Sequence, residues 1–246
     1  MTSRIRDDFT FATRLRYFAW RASGSRNVFS GRSRSGQRLF FRPSPSTDLD
    51  TAYEVFVDGV YRSPREIDAG SVRRIVDLGA NAGYSLMWWF RNFPGAVVTA
   101  FEPHPMHCEQ IRKHLRANGL VNRVVLFEAA AGIADGTTTL SDDENRSTIV
   151  NASAGLLVRV RDVFAELDTT IDILKIDIEG AEYEILADPR FGQARPRIVV
   201  MEWHRTADSR SNPEWCEARL SVLGFETIRT ADGESHGTIW GFAPPP

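Results

Sequence analysis

Cysteine and long apolar runs are both scarce in this chain of 246 residues. Cys108 and Cys216 lie far apart, so they predict neither a disulfide framework nor a Cys-x-x-Cys metal motif, and they indicate a reducing, cytoplasmic setting. No apolar run approaches the roughly 20 residues that cross a bilayer, and no signal-peptide core is found. The net charge of −2 gives no general attraction for nucleic acid. With 42% hydrophobic residues, the chain can form one large α/β core with an extension.

Positive charge is concentrated at the N-terminus. Residues 1–42 contain ten arginines and two acidic residues, a net charge of +8, with aromatic side chains between the arginines. One interpretation is a basic amphipathic helix that binds an anionic membrane or an acidic partner. The other is a helix whose aromatic face packs on the domain while its arginines are solvated. Asp7 and Asp8 argue against a transit peptide.

From residue 72 onwards, strand patterns alternate with helix patterns. Five apolar segments are predicted strands: VRRIVDLGA, AVVTAFEP, NRVVLFEAAAG, IDILKIDI and RIVVMEWH. Repeated strand–helix units predict a parallel sheet covered by helices on both faces. The last two segments, FETIRT and HGTIWGF, are joined by a short Asp-Gly turn that leaves no room for a helix. The final strand is therefore predicted to be antiparallel.

Two regions outside this pattern have less regular sequences. Upstream, residues 1–25 and DLDTAYEVFVDGVY are predicted helices, and RLFF is a predicted short strand. Between the third and fourth strands, residues 131–170 are too long for a simple connection. They are predicted to contain an extra helix near Val163–Leu167 and a mobile flap over the active site. Tyr61 and Arg146 are candidate acceptor contacts in these regions, although packing and solvent exposure are also consistent with their sequence positions.

The first strand ends in the glycine-containing turn DLGANAG. Ligands of open α/β sheets bind beyond the carboxyl ends of the strands, and Gly79 and Gly83 permit a tight turn there. The dinucleotide pattern G-x-G-x-x-G is not met, because Asn81 takes the second glycine position and Tyr84 follows Gly83. Asp77 places a carboxylate nearby, which disfavours a pyrophosphate and suits a cation such as a sulfonium group.

The second and third strands also end in acidic residues. Glu102 follows Gly83 by 19 residues and is placed to bind both hydroxyls of a ribose, as in nicotinamide and adenosyl enzymes alike. At the end of the third strand, Ala129 and Ala130 leave room for a flat base. Glu128 is placed to accept a hydrogen bond from an exocyclic amine.

The fourth and fifth strands carry the residues that suit acid–base chemistry. Strand alternation puts Lys175 and Asp177 on one face, where they can pair, with Glu179 at the strand tip. On the fifth strand Glu202 and His204 share a face, and a histidine can act as a base near neutral pH. A structural role for His204 remains the alternative.

Two further interpretations concern the acidic residues of this region. Asp177, Glu179, Glu202 and His204 together could bind Mg²⁺ or Mn²⁺, which would lower the pKa of an alcohol, but no sharp metal motif is present. Glu182 and Glu184 fall at the start of the following helix. The helix dipole alone explains acidic residues at those positions.

Four motifs in this order and spacing resemble the FkbM family of S-adenosylmethionine-dependent methyltransferases: VDLGANAGYS, FEPHP, FEAAAG and LKIDIEGAEYEIL. The resemblance covers roughly Val72–His204. It implies a Rossmann-like α/β fold with a seven-stranded, mostly parallel sheet, an antiparallel last strand and a small N-terminal helical extension. Residues 1–70 would form that extension and a substrate-side cap, and residues 71–246 the S-adenosylmethionine-binding catalytic domain.

The resemblance also implies roles for individual residues. Those around the methionine half of the cofactor would be Asp77, Gly79, Asn81 and Gly83, with Tyr84 and Asp177 beside them. Glu102 would hold the ribose, and Glu128 and Ala129 would lie at the adenine end. Methyl transfer to an alcohol needs alignment and a base, and the predicted catalytic residues are His204, Asp177 and Glu179.

The predicted function is S-adenosylmethionine-dependent O-methylation, with a small-molecule or glycan acceptor such as a sugar or glycoside of a natural product. Three alternatives stay open at this point: a nicotinamide-dependent oxidoreductase, an N- or C-methyltransferase on the same fold, and a non-catalytic adenosyl-binding protein.

Overall fold

The computed structural model describes residues 9–140, 155–167, 170–205 and 212–244. The strands within these ranges are β1 (Phe29–Arg32), β2 (Arg38–Phe41), β3 (Arg74–Leu78), β4 (Val97–Phe101), β5 (Val124–Phe127), β6 (Ala130–Gly132), β7 (Gly136–Leu140), β8 (Leu156–Asp162), β9 (Ile173–Ile176), β10 (Ile198–His204), β11 (Glu226–Asp232) and β12 (His236–Phe242). The α-helices are α1 (Phe11–Ala22), α2 (Asp48–Tyr53), α3 (Tyr84–Asn92), α4 (Pro105–Ala117), α5 (Glu182–Ala187), α6 (Phe191–Ala194) and α7 (Pro213–Val222). A π-helical turn (Glu54–Asp58) and two 3₁₀ turns (Val121–Arg123 and Val163–Ala165) complete the described elements.

A seven-stranded sheet with the order β11-β12-β10-β9-β3-β4-β5 forms the centre of the fold. The five strands from β10 to β5 pair in parallel, and β12 pairs antiparallel with both β10 and β11. The predicted sheet and its reversed last strand are therefore confirmed. Because the crossing helices cover both faces, strands such as β3 and β9 are almost wholly buried.

The chain between β5 and β9 differs from the sequence-based expectation. The predicted third strand splits after Phe127, and β6 joins a separate three-stranded sheet in the order β6-β8-β7. The predicted extra helix is one 3₁₀ turn, capped by the Asp162 carboxylate, which accepts from the Phe164 N–H. Residues 141–154, including Arg146 and part of the predicted flap, lie outside the described residues.

The N-terminal segment packs on α3 and α4, beside the seven-stranded sheet, through the hairpin β1–β2. The predicted strand RLFF is β2, whereas its partner β1 was not predicted. The N–H of Phe40 donates to His114 Nε2 (2.9 Å), and His114 Nδ1 lies 3.0 Å from the Ala82 carbonyl oxygen. Burial lowers the pKa of His114 to about 4, so the ring is neutral and Nδ1 donates. One buried histidine thus connects the hairpin to the turn before α3.

The helices of the described residues include none long and apolar enough to cross a membrane. One apolar cluster contains residues of both the N-terminal segment, such as Phe41, and the seven-stranded sheet, such as Ile75. A domain boundary at residue 70 remains a prediction.

Gly79 allows the ends of β3 and β9 to approach each other. Its φ is +83°, and an added Cβ would lie 1.8 Å from the carbonyl oxygen of Asp177. Any side chain at this position would therefore require the backbone of the β9 end to move.

A glycine substitution with a matched control tests this approach. At Gly119, φ is +69° and nothing lies within 4 Å of an added Cβ. We expect Gly119→Ala to lower the free energy of unfolding by about 1–2 kcal/mol, the cost of a left-handed conformation. Gly79→Ala should cost more than about 3 kcal/mol, because backbone must also shift. Equal losses in urea denaturation would contradict the tight approach of the two strands.

Candidate active site

Most of the predicted site residues lie where β3, β4, β9 and β10 end, which we call the carboxyl edge of the sheet. At its centre is Lys175, whose side chain is 1% exposed. Its Nζ lies 3.0 Å from Asp77 Oδ1 and 3.5 Å from Asp177 Oδ2. It also donates to the carbonyl oxygens of Leu78 (3.1 Å) and Gly79 (2.6 Å).

The buried lysine is charged. Burial alone would lower its pKa, but the carboxylates of Asp77 and Asp177 outweigh burial and raise the pKa above its ordinary value. Asp77 is itself fully buried, and its Oδ2 accepts from Trp89 Nε1 (2.9 Å). The Asp77 side chain thus contacts Lys175 and Trp89 in the core beside the carboxyl edge. A direct contact between Asp77 and a cofactor remains a prediction.

The predicted pairing of Lys175 with Asp177 is present, and Asp177 has a second partner in the N-terminal segment. The hydroxyl of Tyr61 donates to Asp177 Oδ2 (3.0 Å), and the Tyr61 carbonyl accepts from Trp88 Nε1 (3.1 Å). Burial, followed by the charge of Asp177, raises the pKa of Tyr61, so it remains a hydroxyl donor. Tyr61, which the sequence suggested as an acceptor contact, lies at the carboxyl edge.

The turn after β3 is fixed by the end of β4. The N–H groups of Gly79 and Ala80 donate to the carbonyl oxygen of Phe101 (3.0 and 2.9 Å), and Asn81 adopts a φ of 47°. The N–H of Asn81 then donates to Glu102 Oε2 (2.8 Å). Gly83 ends the turn as the N-terminal cap of α3. Gly79, Asn81 and Gly83 therefore form one turn whose backbone contacts the Glu102 carboxylate.

Glu102 is held from two directions and is only 4% exposed. Its Oε1 accepts from the His104 N–H (2.8 Å) and lies 3.2 Å from His107 Nδ1. His104 is buried and is the N-terminal cap of α4. These contacts orient the carboxylate without occupying all of its acceptor positions.

Three predicted cofactor residues lie further from this centre or face another way. Tyr84 donates its hydroxyl to the Phe40 carbonyl (2.6 Å) and stacks on Phe41, so its side chain binds the N-terminal hairpin. Glu128 is half-exposed and pairs with Arg112. Ala129 is buried just after β5. Their roles towards the cofactor remain predictions.

His204, at the end of β10, is oriented by a carboxylate for which the sequence predicted no role in the site. Glu182 is fully buried in the first turn of α5, and its Oε1 lies 2.7 Å from His204 Nδ1 and accepts from the His204 N–H (3.1 Å). Its Oε2 accepts from the Gly180 N–H (2.7 Å). The helix-dipole interpretation of Glu182 was thus incomplete, because this carboxylate also sets the position of the imidazole.

The other ring nitrogen faces more carboxylates. His204 Nε2 lies 3.6 Å from Glu179 Oε2 and 3.7 Å from Glu202 Oε1. Burial lowers the pKa of His204, but the Glu182 hydrogen bond and the charges of Glu182, Asp177 and Glu179 together raise it to about 9. Burial and the nearby Asp177 raise the pKa of Glu202. The cluster therefore retains protons near neutral pH.

The profile "Methyltransferase FkbM domain" matches residues 77–237, which include the carboxyl ends of all four strands of this edge. The chain belongs to the FkbM methyltransferase family. It is 27% identical over 196 residues to methyltransferase sdnD of Sordaria araneosa, an alignment that covers 63% of this chain and 74% of that protein.

Two other similar proteins carry the family name. The 31-O-demethyl-FK506 methyltransferase FkbM of Streptomyces tacrolimicus is 27% identical over 190 residues, covering 61% of this chain and 72% of that protein. The crystal structure of methyltransferase FkbM from Methylobacillus flagellatus KT has the same fold, with a TM-score of 0.56 and 18% identity. That match covers 77% of this chain and about half, 48%, of the other.

In this FkbM-family chain, three of the clustered side chains also form a candidate cation site. Ligand atoms of Asp177, Glu202 and His204 lie within 4.8 Å of one another. Because Glu182 engages His204 Nδ1, Nε2 faces the two carboxylates, as in metal-ligating histidines. Glu179, the fourth residue that the sequence suggested, lies outside this set of three.

The sequence missed two neighbours of His204. Glu182 is 22 residues away in the chain, and only the turn at Glu179 and Gly180 brings it back to β10. His236 lies opposite His204 in the β10–β12 pairing, with ring centroids 6.3 Å apart. The predicted antiparallel last strand places His236 near the end of β10. Only the register of β10 with β12 shows that it lies opposite His204.

A substitution that removes the charge of Glu182 should lower the pKa of His204, because burial then acts with less opposition. Glu182→Gln is the test and Glu184→Gln, at an exposed position of the same helix, is the control. The pKa is measured by NMR titration of the ring protons. An unchanged value in Glu182→Gln would refute the orienting contact.

The stability of the folded chain should follow the same shift. The folded-state pKa of His204, about 9, exceeds its ordinary value of 6.5. The contribution of protonated His204 to the free energy of unfolding is therefore complete below pH 6.5 and is lost as the pH rises to about 9. This loss should be smaller in Glu182→Gln than in the wild type.

Proposed function

We propose that this FkbM-family methyltransferase uses S-adenosylmethionine to methylate a hydroxyl group, with His204 as the general base. The observation that carries the proposal is the Glu182–His204 pair. It presents one imidazole nitrogen at the same sheet edge as the glycine turn and Glu102. The histidine, the glycine turn and the Glu102 carboxylate lie at one edge of the sheet, which supports their proposed roles as base, cofactor-binding turn and ribose-binding group.

The donors and acceptors of the carboxyl edge fit an adenosyl cofactor. Glu102 is oriented by two backbone N–H groups and can accept from vicinal hydroxyls. Asp177 and Glu179 supply negative charge that favours a cationic sulfonium. When bound, S-adenosylmethionine supplies an electrophilic methyl group. The methionine end would lie at the turn Gly79–Gly83 and the adenine end at Glu128 and Ala129.

The residues of this chain would remove the hydroxyl proton. Neutral His204 accepts the proton at Nε2, and the carboxylate of Glu182 stabilises the imidazolium through Nδ1. General-base catalysis of this kind contributes about a hundredfold to ten-thousandfold in rate. Asp177 is held in position by Tyr61 and Lys175 and supplies a carboxylate at the same end of the sheet.

For the acceptor we propose a sugar, glycoside or related natural product. The support for an oxygen acceptor comes from the relative in Streptomyces tacrolimicus, whose name gives 31-O-demethyl-FK506 as its substrate. Membership of a methyltransferase family argues against the nicotinamide-dependent oxidoreductase. N- or C-methylation, and a protein that binds the cofactor without catalysis, remain the outcomes that a product assay separates from O-methylation.

A metal-assisted version of the same reaction is the second candidate, and the cluster of Asp177, Glu202 and His204 favours it. A divalent cation there would lower the pKa of the acceptor hydroxyl and orient it. His204 would then be a ligand and not the base. The same assay separates the two versions when it is run with and without a chelator.

Replacing Glu102 tests the cofactor assignment. Glu102→Ala should weaken S-adenosylmethionine binding by at least about tenfold, because charge-assisted hydrogen bonds to the ribose contribute 1.5 kcal/mol or more. Binding is measured by calorimetry, with Glu109→Ala on the exposed face of α4 as the matched control. An affinity equal to that of the control would contradict the ribose assignment.

Replacing His204 tests the base. His204→Ala should lower kcat by about a hundredfold or more while cofactor affinity stays nearly constant. His236→Ala, the exposed neighbour, is the control. In the wild type kcat should rise with pH as His204 loses its proton. Activity is followed by cofactor consumption over a panel of glycosides and by product mass spectrometry.

The outcomes of this assay assign the role of His204. A fully active His204→Ala variant would refute the base. Loss of wild-type activity on chelation, with recovery in Mg²⁺ or Mn²⁺, would favour the metal-assisted version. A product methylated on nitrogen or carbon would overturn O-methylation while leaving the cofactor assignment in place.

A further inference from the structure

We infer that the outer face of α1, formed by Phe11, Leu15 and Phe18, binds the surface of an anionic lipid membrane. This inference is independent of the proposed reaction. It begins from an exposed apolar stripe: the three side chains are 67%, 56% and 44% exposed. Their spacing of four and three residues places them on one side of the helix.

The opposite side of α1 packs on the hairpin β1–β2. Thr13, Tyr17 and Trp20 have the same spacing, and all three face the hairpin β1–β2. Tyr17 is 1% exposed and packs edge-to-face on Phe29, and Trp20 Nε1 donates to the Asn27 carbonyl (2.8 Å). The helix is thus fixed to the domain by one face. Its second apolar face is not needed for that packing.

Arginines surround the outer face. Arg14 and Arg16 lie on either side of the stripe, and the Arg14 guanidinium is 5.7 Å from the centre of the Phe11 ring. Exposed arginines continue at both ends of the helix. Arg32 lies beside its start, where its carbonyl accepts from the Thr10 N–H (3.3 Å), and Arg26 follows its end. Residues 9–42 contain eight arginines and no acidic residue.

The charge of the whole chain argues for one orientation on the lipid. The chain has 30 basic and 32 acidic residues, and residues 1–42 account for ten and two of them, so residues 43–246 have a net charge of −10. An anionic bilayer attracts the N-terminal segment and repels the remainder. Arginines beside a lipid surface each contribute attraction to anionic headgroups, and aromatic side chains insert at the headgroup level.

A second copy of the chain suits this face less well. Pairing α1 with α1 would bury the stripes together but would also bring two sets of arginines into contact, which costs free energy at low salt. An acidic protein would satisfy the arginines but gives no reason for two phenylalanines and a leucine at high exposure. A lipid surface satisfies both, because it offers anionic headgroups above an apolar layer.

Vesicle sedimentation of the full chain tests the inference. The wild type should bind vesicles of phosphatidylcholine containing phosphatidylglycerol, and bind less to phosphatidylcholine alone or at high salt. The variant Phe11→Ser, Leu15→Ser and Phe18→Ser should bind more than about tenfold more weakly, because each buried side chain contributes over 1 kcal/mol. The matched control is Val121→Ser, Leu157→Ser and Val222→Ser, three similarly exposed apolar positions on other elements.

Circular dichroism and thermal denaturation verify that both triple variants are folded. Equal vesicle binding by the two triple variants, or no binding by the wild type, would overturn the inference. A wild type that forms dimers in ultracentrifugation but does not bind vesicles, with dimers lost in the α1 variant, would also overturn the inference. The outer face would then join two copies of the chain. Weakened binding in Arg16→Gln with Arg26→Gln would support the charge component. Binding that depended on these arginines alone would overturn insertion of the apolar face.

Discussion

The site of this FkbM-family chain depends on one buried ion pair. Asp77 and Lys175 face each other across the β3–β9 pairing, and their side chains are 0% and 1% exposed. Removing either partner would leave an uncompensated buried charge, which costs about 3–5 kcal/mol in measured cases. The two motifs DLG and KID, far apart in the sequence, therefore constrain each other. Neither is stable in this position without the other.

The same lysine determines the shape of the carboxyl edge. Because Nζ also donates to the carbonyls of Leu78 and Gly79, it fixes the backbone at the point where β3 becomes the glycine turn. That turn orients Glu102 through the Asn81 N–H. On the other side of Lys175, Asp177 receives the hydroxyl of Tyr61 from the N-terminal segment. Lys175 therefore connects the turn that orients Glu102 with Asp177 and Tyr61 on the other side of the carboxyl edge.

The sequence predicted those features that depend on local pattern. Apolar runs gave the parallel strands, the short Asp-Gly turn gave the reversed last strand, and alternation gave the pairing of Lys175 with Asp177. The sheet β6-β8-β7 was not predicted, because β6 is only Ala-Ala-Gly and β7 is Gly-Thr-Thr-Thr-Leu, and these two segments become strands by pairing with β8. Glu182 was missed for a related reason. An acidic residue in a first helical turn is ordinary, and burial against His204 is a property of tertiary structure.

The raised pKa of His204 has a consequence for the order of events in the proposed reaction. The carboxylates that would attract a sulfonium also hold the proton on the imidazole, so the cation-free site contains a poor base near neutral pH. A positive charge bound at the carboxyl edge opposes protonation of His204 and lowers its pKa. Binding of the methyl donor would thus favour the neutral imidazole. One set of carboxylates would then couple recognition of the cofactor to activation of the acceptor.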